Sequence, residues 1–261
     1  MSTISNDRSE FWASHFVQLA NSEATNTKQL DFSNHALVVQ NYAYVLESIG
    51  PLAGKRVLDA GFGTGELSRI LDLLGAKVSA IDLVATRIPT LREEVPNVAW
   101  WQGDLGEWTL PQNAEPFDVI VAAETLQYVD FDDAVQRLLS ALAPKGRLLV
   151  LIPNADCPII QKTSERFDHR YTGVSLKGLS ERVRGIVTKQ SAVDSRAWRV
   201  FYRGIRFQDD QTVVPYQSGP WVEADLEPVA SSANRVRPPH FDNAKVPNRL
   251  VMVFCDSAIE D

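Results

Sequence analysis

Three acidic residues and a glycine-rich turn could together bind a positively charged nucleoside. The turn, Asp59-Ala60-Gly61-Phe62-Gly63-Thr64-Gly65, follows one apolar run, and Asp82 ends the next. A third acid stands in Gly103-Asp104-Leu105, after the third run. Glycines let the backbone approach a ligand closely, and a carboxylate favours nearby positive charge. We therefore predict Asp59 beside a cationic group, Asp82 on the hydroxyls of a ribose and Asp104 at an adenine amino group.

The spacing of the glycines argues against two familiar phosphate-binding loops. Gly61, Gly63 and Gly65 follow the pattern Gly-x-Gly-x-Gly, whereas the dinucleotide fingerprint is Gly-x-Gly-x-x-Gly. The Gly-Lys-Ser/Thr of a P-loop is absent from this turn. Asp59 would also repel a pyrophosphate. A cationic nucleoside therefore fits the turn better than a phosphorylated one.

Alternating β-rich and helical runs between residues 56 and 153 must position these side chains. Strands are predicted over 56–59, 77–82, 98–102, 117–123 and 147–152, with helices over 66–74, 86–95 and 132–142. The near-continuous apolar character of 117–123 is typical of a strand that is buried on both faces of a parallel sheet. This alternation predicts an α/β, Rossmann-like, doubly wound sheet. Ligands of such sheets bind beyond the carboxyl ends of the strands.

The segments on either side of this alternation have other patterns. Residues 1–50 look helical and are predicted to form an N-terminal cover. Beyond residue 153 we predict a helix over 175–187, a strand over 197–203, a hairpin of 205–208 with 211–214, and a last strand over 249–255. The stretch 215–247 contains six prolines and little periodicity. We interpret it as part of an active-site insertion, because long structureless connections in compact domains are usually functional or mobile.

Several of these segments resemble the motifs of class I S-adenosylmethionine (SAM)-dependent methyltransferases. Residues 57–65 resemble the first motif of that family, residues 78–83 its acidic second strand, and residues 103–105 the segment that contacts adenine. Residues 117–129 and 142–148 resemble the fourth and fifth strand regions of small-molecule methyltransferases of the ubiquinone-biosynthesis type. The resemblance covers about residues 50–155. It implies SAM as cofactor and a seven-stranded sheet, mostly parallel, whose last strand over 249–255 is antiparallel.

The resemblance also implies a set of cofactor-binding residues and a domain organisation. The cofactor-binding residues are predicted to be Asp59, Gly61, Phe62, Gly63, Thr64, Gly65, Asp82, Leu83, Asp104, Leu105 and, at the end of the fourth strand, Glu124. Residues 51–261 would form the methyltransferase domain, with an insertion over about 154–247 and the helical cover over 1–50. Where commoner members of the family have His-Val after the fourth strand, this chain has Tyr128-Val129.

A catalytic base is needed only if the acceptor arrives protonated, as a hydroxyl would. His169 is the candidate, because it lies in the predicted insertion, and His240 and Tyr128 are weaker candidates. The simple alternative is that His169 is a surface residue with no catalytic role.

Residues 161–206 carry eleven Lys or Arg against four acids. This excess could be a solvated helix face, or Arg166, Arg170, Arg199 and Arg203 could recognise an anionic acceptor through paired hydrogen bonds.

Composition sets limits on the remaining alternatives. The net charge of −7 argues against bulk nucleic-acid binding, which needs basic surface. No apolar run approaches the roughly 18 residues of a membrane span, and the polar N-terminus does not read as a secretory signal. Cys157 and Cys255 are too far apart to suggest a metal site or a disulfide framework, so we expect reduced thiols in a cytoplasmic protein.

Taken together, the motifs and the composition predict methylation of a small molecule, preferably O-methylation of a metabolite or sugar-like acceptor, which could be anionic. The alternatives are an RNA or protein methyltransferase and a non-catalytic SAM-binding scaffold.

Overall fold

Nine strands form a single sheet in the computed structural model, which describes residues 3–25, 32–209, 212–226 and 246–256. The strands are β1 (Arg56–Ala60), β2 (Lys77–Asp82), β3 (Ala99–Gln102), β4 (Phe117–Ala123), β5 (Leu142–Pro153), β6 (Trp198–Asp209), β7 (Thr212–Ser218), β8 (Val222–Glu223) and β9 (Arg249–Asp256). Seven α-helices accompany them in the described part of the chain. They are α1 (Thr3–Thr25), α2 (Phe32–Ile49), α3 (Glu66–Leu73), α4 (Ile88–Glu94), α5 (Phe131–Ser140), α6 (Pro158–Arg166) and α7 (Leu179–Asp194).

The first five strands form the parallel half of the sheet, in the order β3-β2-β1-β4-β5. The predicted α/β fold with a doubly wound, Rossmann-like sheet is confirmed. β4 is buried along most of its length, as its apolar sequence predicted, because the sheet is covered on both faces. Apolar side chains of α5 and α7 lie in one core cluster, and those of α2, α3 and α4 in the other. The carboxyl ends of all five strands therefore meet at one edge, where the glycine turn follows β1.

The other half of the sheet is antiparallel. β9 pairs with β5, β6 pairs with β9, and both β7 and β8 pair with β6. The antiparallel last strand and the hairpin are confirmed, since Asp209 is in register with Thr212. The described part of the sheet has two strands more than the predicted seven, because β7 and β8 add to the outer edge of β6. Since β9 runs against β5, its first residue, Arg249, lies beside Pro153.

Two local predictions differ from the structure. The helix predicted over 132–142 ends at Ser140, and the strand predicted over 147–152 already begins at Leu142. Helix α6 was not predicted. Its first residue is Pro158, which is a good first residue of a helix because it lacks only an N–H that would be unpaired there.

The predicted insertion over 154–247 includes α6, α7 and strands β6 to β8. Residues 227–245, with most of the proline-rich stretch and His240, lie outside the described residues. None of the helices in the described ranges combines the length and apolarity that crossing a bilayer requires.

Candidate cofactor site

A cavity of about 470 Å³ opens at the carboxyl ends of the parallel strands. All the predicted cofactor residues line it except Gly65. The cavity also has walls from helix α1, which contributes Ser9, Trp12 and Phe16, and from the start of β9, which contributes Arg249. Its size is that of an ordinary small-molecule pocket. The motifs that are far apart in the sequence therefore meet at one site.

The three glycines of the turn all have left-handed backbone conformations, but for different purposes. A Cβ atom on Gly61 would lie 2.1 Å from Oγ1 of Thr125, and one on Gly65 would lie 2.7 Å from Cδ2 of Leu91. These two positions lack room for a side chain because of the protein's own packing. A Cβ on Gly63 would meet nothing within 4 Å, and Gly63 lines the cavity. Gly63 is therefore the position where the backbone is open to a ligand, whereas Gly65 serves packing.

Asp59 is buried at the base of the cavity, 1% exposed. The Ser68 hydroxyl donates a hydrogen bond of 2.6 Å to its Oδ2. Burial raises the pKa of Asp59 to about 7, and the nearby charge of Asp82 acts in the same direction, against the Ser68 hydrogen bond, which lowers it. A cation placed beside this carboxylate would offset the cost of its burial.

Asp82 connects the end of β2 to the glycine turn. Its Oδ2 accepts a hydrogen bond of 2.9 Å from the Gly63 N–H, and its Oδ1 accepts one of 2.9 Å from the Val84 N–H. Burial raises the pKa of Asp82, although these backbone donors oppose the shift. Each carboxylate oxygen has a second lone pair, so Asp82 can still accept hydrogen bonds from a ribose.

Asp104 connects the cavity to helix α1. The Ser9 hydroxyl donates to Oδ2 of Asp104, and the Gly106 N–H donates to Oδ1 at 2.8 Å. Leu105, the next residue, is buried and lines the cavity. The contact with Ser9 could not be read from the motifs, because it joins residues 95 positions apart.

Glu124 follows β4 directly, with a left-handed φ of 56°. Arg249, which is buried, donates a hydrogen bond from Nε to Oε1 of Glu124 and forms an ion pair with it. Both residues line the cavity. Sequence analysis did not single out Arg249, because nothing local marks it. The available signal was the antiparallel last strand, which must begin at the cofactor edge of the sheet.

Helix α1 covers the cavity with aromatic side chains. The Trp12 and Phe16 rings lie 4.6 and 5.1 Å from the Tyr128 ring, measured between centroids. Arg8, one helical turn before Trp12, also holds the helix in place, with Nη2 donating to the Gln127 carbonyl at 2.9 Å and to the Thr172 hydroxyl at 3.0 Å. The predicted helical character of the N-terminal region is confirmed over the described parts of α1 and α2.

Of the two candidate bases that the structure describes, Tyr128 lines the cavity and His169 does not. His169 is exposed, has a left-handed φ of 59°, lies 3.3 Å from Ser164 Oγ through Nδ1, and is not part of the cavity wall. Tyr128 does line the cavity, but burial raises its pKa to about 12. A phenol with that pKa stays neutral at pH 7.

The four arginines proposed to bind an anion do not line the cavity. Arg170 pairs with Asp7 and Asp168, and Arg199 pairs with Glu223. The Arg203 guanidinium lies over the rings of Tyr44 and Trp221, and that of Arg166 over Phe167. Within the described ranges, no group of three or more His, Cys, Asp or Glu side chains could hold a metal ion.

Residues 57–146 match the family model described as a methyltransferase domain. A trans-aconitate 2-methyltransferase of Paracidovorax citrulli is 34% identical over 105 residues, which cover 39% of this chain and 40% of that protein. A ubiquinone/menaquinone biosynthesis C-methyltransferase of Stutzerimonas stutzeri is 31% identical over 179 residues, 64% of each chain. This chain thus spans between two fifths and two thirds of the length of these relatives.

A solved structure of a SAM-dependent methyltransferase from Mesorhizobium loti has the same fold, with a TM-score of 0.53. The superposition covers 82% of this chain and 97% of that one at 16% identity, so it speaks for the fold alone. The fold is that of the class I SAM-dependent methyltransferases. Residues 57–146 of this chain match a methyltransferase domain, and SAM is the cofactor of that class.

Proposed function

We propose that this protein transfers the methyl group of SAM to a small-molecule acceptor. The observation that carries the proposal is one cavity in which Asp59, Asp82 and Asp104 lie at the carboxyl ends of three adjacent strands, with the open backbone of Gly63 among them. Asp59 would lie at the cationic amino acid end of SAM, Asp82 at the ribose and Asp104 at the adenine. When bound, SAM supplies a methyl group on a positively charged sulfur.

The contribution of the protein to such a transfer is mainly orientation. A methyl group on a sulfonium is already electrophilic, so holding the acceptor in line with it can supply much of the rate. The glycine turn and Asp82 would fix the donor, since the Asp82 carboxylate already fixes the turn. The walls from α1 and β9 would exclude water and hold the acceptor.

For the acceptor, we propose an uncharged small molecule in place of the anionic one considered from the sequence. Among the described residues that line the cavity, four are acids and two are arginines, and one of these, Arg249, pairs with Glu124. O-methylation of a hydroxyl remains the preferred reaction. The names of the relatives do not settle the methylated atom, since one of them is a C-methyltransferase.

The alternatives have less support. Docking of RNA would use the basic segment 161–206, but Arg170, Arg196 and Arg199 in that segment already pair with acids. A scaffold without activity would bind SAM and release no product with any acceptor.

Cys157 and Cys255, both free thiols in the described part of the chain, support a cytoplasmic location, which cell fractionation would test.

Calorimetric titration of the purified protein tests the proposal first. SAM and its demethylated product S-adenosylhomocysteine (SAH) should bind with micromolar affinity, and NAD should not bind. Absence of SAM binding, or equal binding of NAD, would overturn the proposed function. Turnover with a panel of neutral hydroxylated acceptors, followed by SAH release, then separates an enzyme from a scaffold.

A further inference from the structure

Glu124 and Arg249 lie on the opposite side of β1 from the residues that would hold the ribose and adenine. The order β3-β2-β1-β4-β5-β9 places Asp82 and Asp104 beyond β2 and β3. Glu124 ends β4 and Arg249 begins β9, so both lie at the other end of the same cavity. Because the cofactor acids line one end, this second end is available for the acceptor.

The backbone of Glu124 is fixed in an unfavourable conformation. Its N–H donates to the Leu151 carbonyl at 2.9 Å, and its carbonyl accepts from Gln127 Nε2 at 2.8 Å. A left-handed φ at a residue other than glycine costs free energy and is found preferentially at functional sites. Oε1 of the side chain accepts from Arg249, whereas Oε2 has no hydrogen-bond partner among the described residues. The side chain is 23% exposed.

Arg249 is held in place by two hydrogen bonds of Asn154, which follows β5 directly. Asn154, which is fully buried, donates from Nδ2 to the Pro247 carbonyl at 2.8 Å. Its backbone N–H donates to the Asn248 carbonyl at 2.9 Å. These two bonds fix the segment that leads into β9. The guanidinium of Arg249 is thereby presented to Glu124.

The remaining wall of this end is aromatic and offers few polar groups. The rings of Trp12, Phe16 and Tyr128 pack on one another and line the cavity. The Trp12 indole N–H donates to the Arg170 carbonyl at 3.3 Å, so it points away from a ligand. Such surfaces pack well against flat rings.

We propose that this end of the cavity is an acceptor subsite for an uncharged, ring-containing molecule with a hydroxyl or amino group. The inference rests on the proposed function. The ring would pack on Phe16 and Tyr128, which the buried Trp12 supports from behind, and its hydroxyl or amino hydrogen would be donated to Oε2 of Glu124. Arg249 is a positioning residue. It pairs with Glu124 and fixes the orientation of its carboxylate, so the Arg249 guanidinium is already engaged and does not attract an anion.

Equilibrium dialysis of three matched probes against the SAH-saturated protein tests the subsite. 2-Naphthol carries a hydrogen-bond donor, 2-methoxynaphthalene lacks it, and 2-naphthoate is an anion of similar shape. We expect 2-naphthol to bind about tenfold tighter than either of the others, because only it can donate to a charged acceptor. Equal binding of the three, tighter binding of 2-naphthoate, or no binding at all would overturn the inference.

Variants of Glu124 and Arg249 test whether this ion pair binds the probe or only stabilises the fold. In Glu124→Gln the side-chain oxygen can still accept from Arg249, but its amide then faces the ligand as a donor. 2-Naphthol binding should fall about tenfold. Glu124, which the sequence predicted as a cofactor residue, is assigned by this inference to the acceptor, so SAH affinity should stay within twofold of the wild type. Arg249→Met should weaken 2-naphthol binding and Arg249→Lys should restore part of it. Glu165→Gln, an exposed change on α6, is the matched control and should change neither affinity.

The outcomes distinguish this inference from the proposed function. A wild-type protein that fails to bind SAH would overturn the proposed function and the subsite with it. A protein that binds SAH normally, with 2-naphthol binding unaffected by Glu124→Gln, would overturn the subsite alone.

Discussion

The carboxylate of Asp82 accepts a hydrogen bond from the backbone N–H of Gly63, at 2.9 Å. This bond connects the end of β2 with the one glycine of the turn whose Cβ position is open. The residue proposed to hold the ribose therefore also shapes the loop proposed to approach the ligand. Changes at either position should affect cofactor binding through the other.

Replacing Asp82 with alanine should weaken SAM affinity by about ten- to a hundredfold, because hydrogen bonds to a charged group contribute about 1.5–3 kcal/mol. Calorimetric titration with SAM measures the change. Glu93→Ala, at an exposed position of α4, is the control and should bind SAM like the wild type. An Asp82→Ala protein with unchanged affinity would remove the ribose assignment.

Gly63 and Gly61 should respond differently to a side chain. Gly63→Val should abolish SAM binding, because the branched side chain would fill the space open to the ligand. The fold should survive, with a cost of about 1–2 kcal/mol from the left-handed backbone. In Gly61→Ala the new Cβ would collide with Thr125, so the melting temperature should fall further. Thermal unfolding with and without SAM measures both. SAM-dependent stabilisation of Gly63→Val would contradict the assigned place of the loop.

Asp59 should make the stability of the ligand-free protein depend on pH. Burial raises its pKa to about 7, whereas in the unfolded chain it is near its ordinary value of about 4. The folded state therefore holds this proton more tightly. Its stabilising contribution is complete below about pH 4 and is lost as the pH rises towards 7. Denaturant unfolding between pH 5 and 8 should show this decline, and Asp59→Asn should reduce it. An identical slope in Asp59→Asn would show that other groups cause the decline.

Ser9→Ala should loosen helix α1 from the cavity, because it removes the hydrogen bond to Asp104. The loss of about 1.5–3 kcal/mol expected for a bond to a charged group corresponds to at least tenfold faster hydrogen exchange over residues 8–18. Mass spectrometry of exchanged peptides measures it. Ser14→Ala, at an exposed position of the same helix, should exchange at the wild-type rate. Equal exchange in both variants would mean that the bond does not hold the helix.

The parallel half of the sheet was predictable because its signals are local. Each strand is a short apolar run, and β4 has the same bounds, 117–123, in the prediction and in the structure. The acids at 59, 82 and 104 lie at the carboxyl ends of consecutive strands of one sheet, so a parallel topology alone brings them to one edge. Only the assumption of right-handed crossovers was needed.

The walls that α1 and β9 add to the cavity were not predictable, because they join it through contacts between distant residues. Glu124 pairs with Arg249 across 125 positions, and Ser9 reaches Asp104 across 95. His169 was a candidate because of its place in the chain, yet its side chain is exposed and away from the cavity. Sequence position alone does not give the direction of a side chain in an irregular segment.

The antiparallel direction of β9 has a consequence for synthesis on the ribosome. The five parallel strands and their glycine turn are complete by residue 153, but Arg249 must be translated and must clear the exit tunnel before the cavity can close. A nascent chain that has stalled between residues 153 and 249 would expose the acids at the strand ends, because the start of β9 would not yet cover that side of the cavity. A chaperone or protease could therefore tell such an intermediate from the finished protein by that exposed edge of β5.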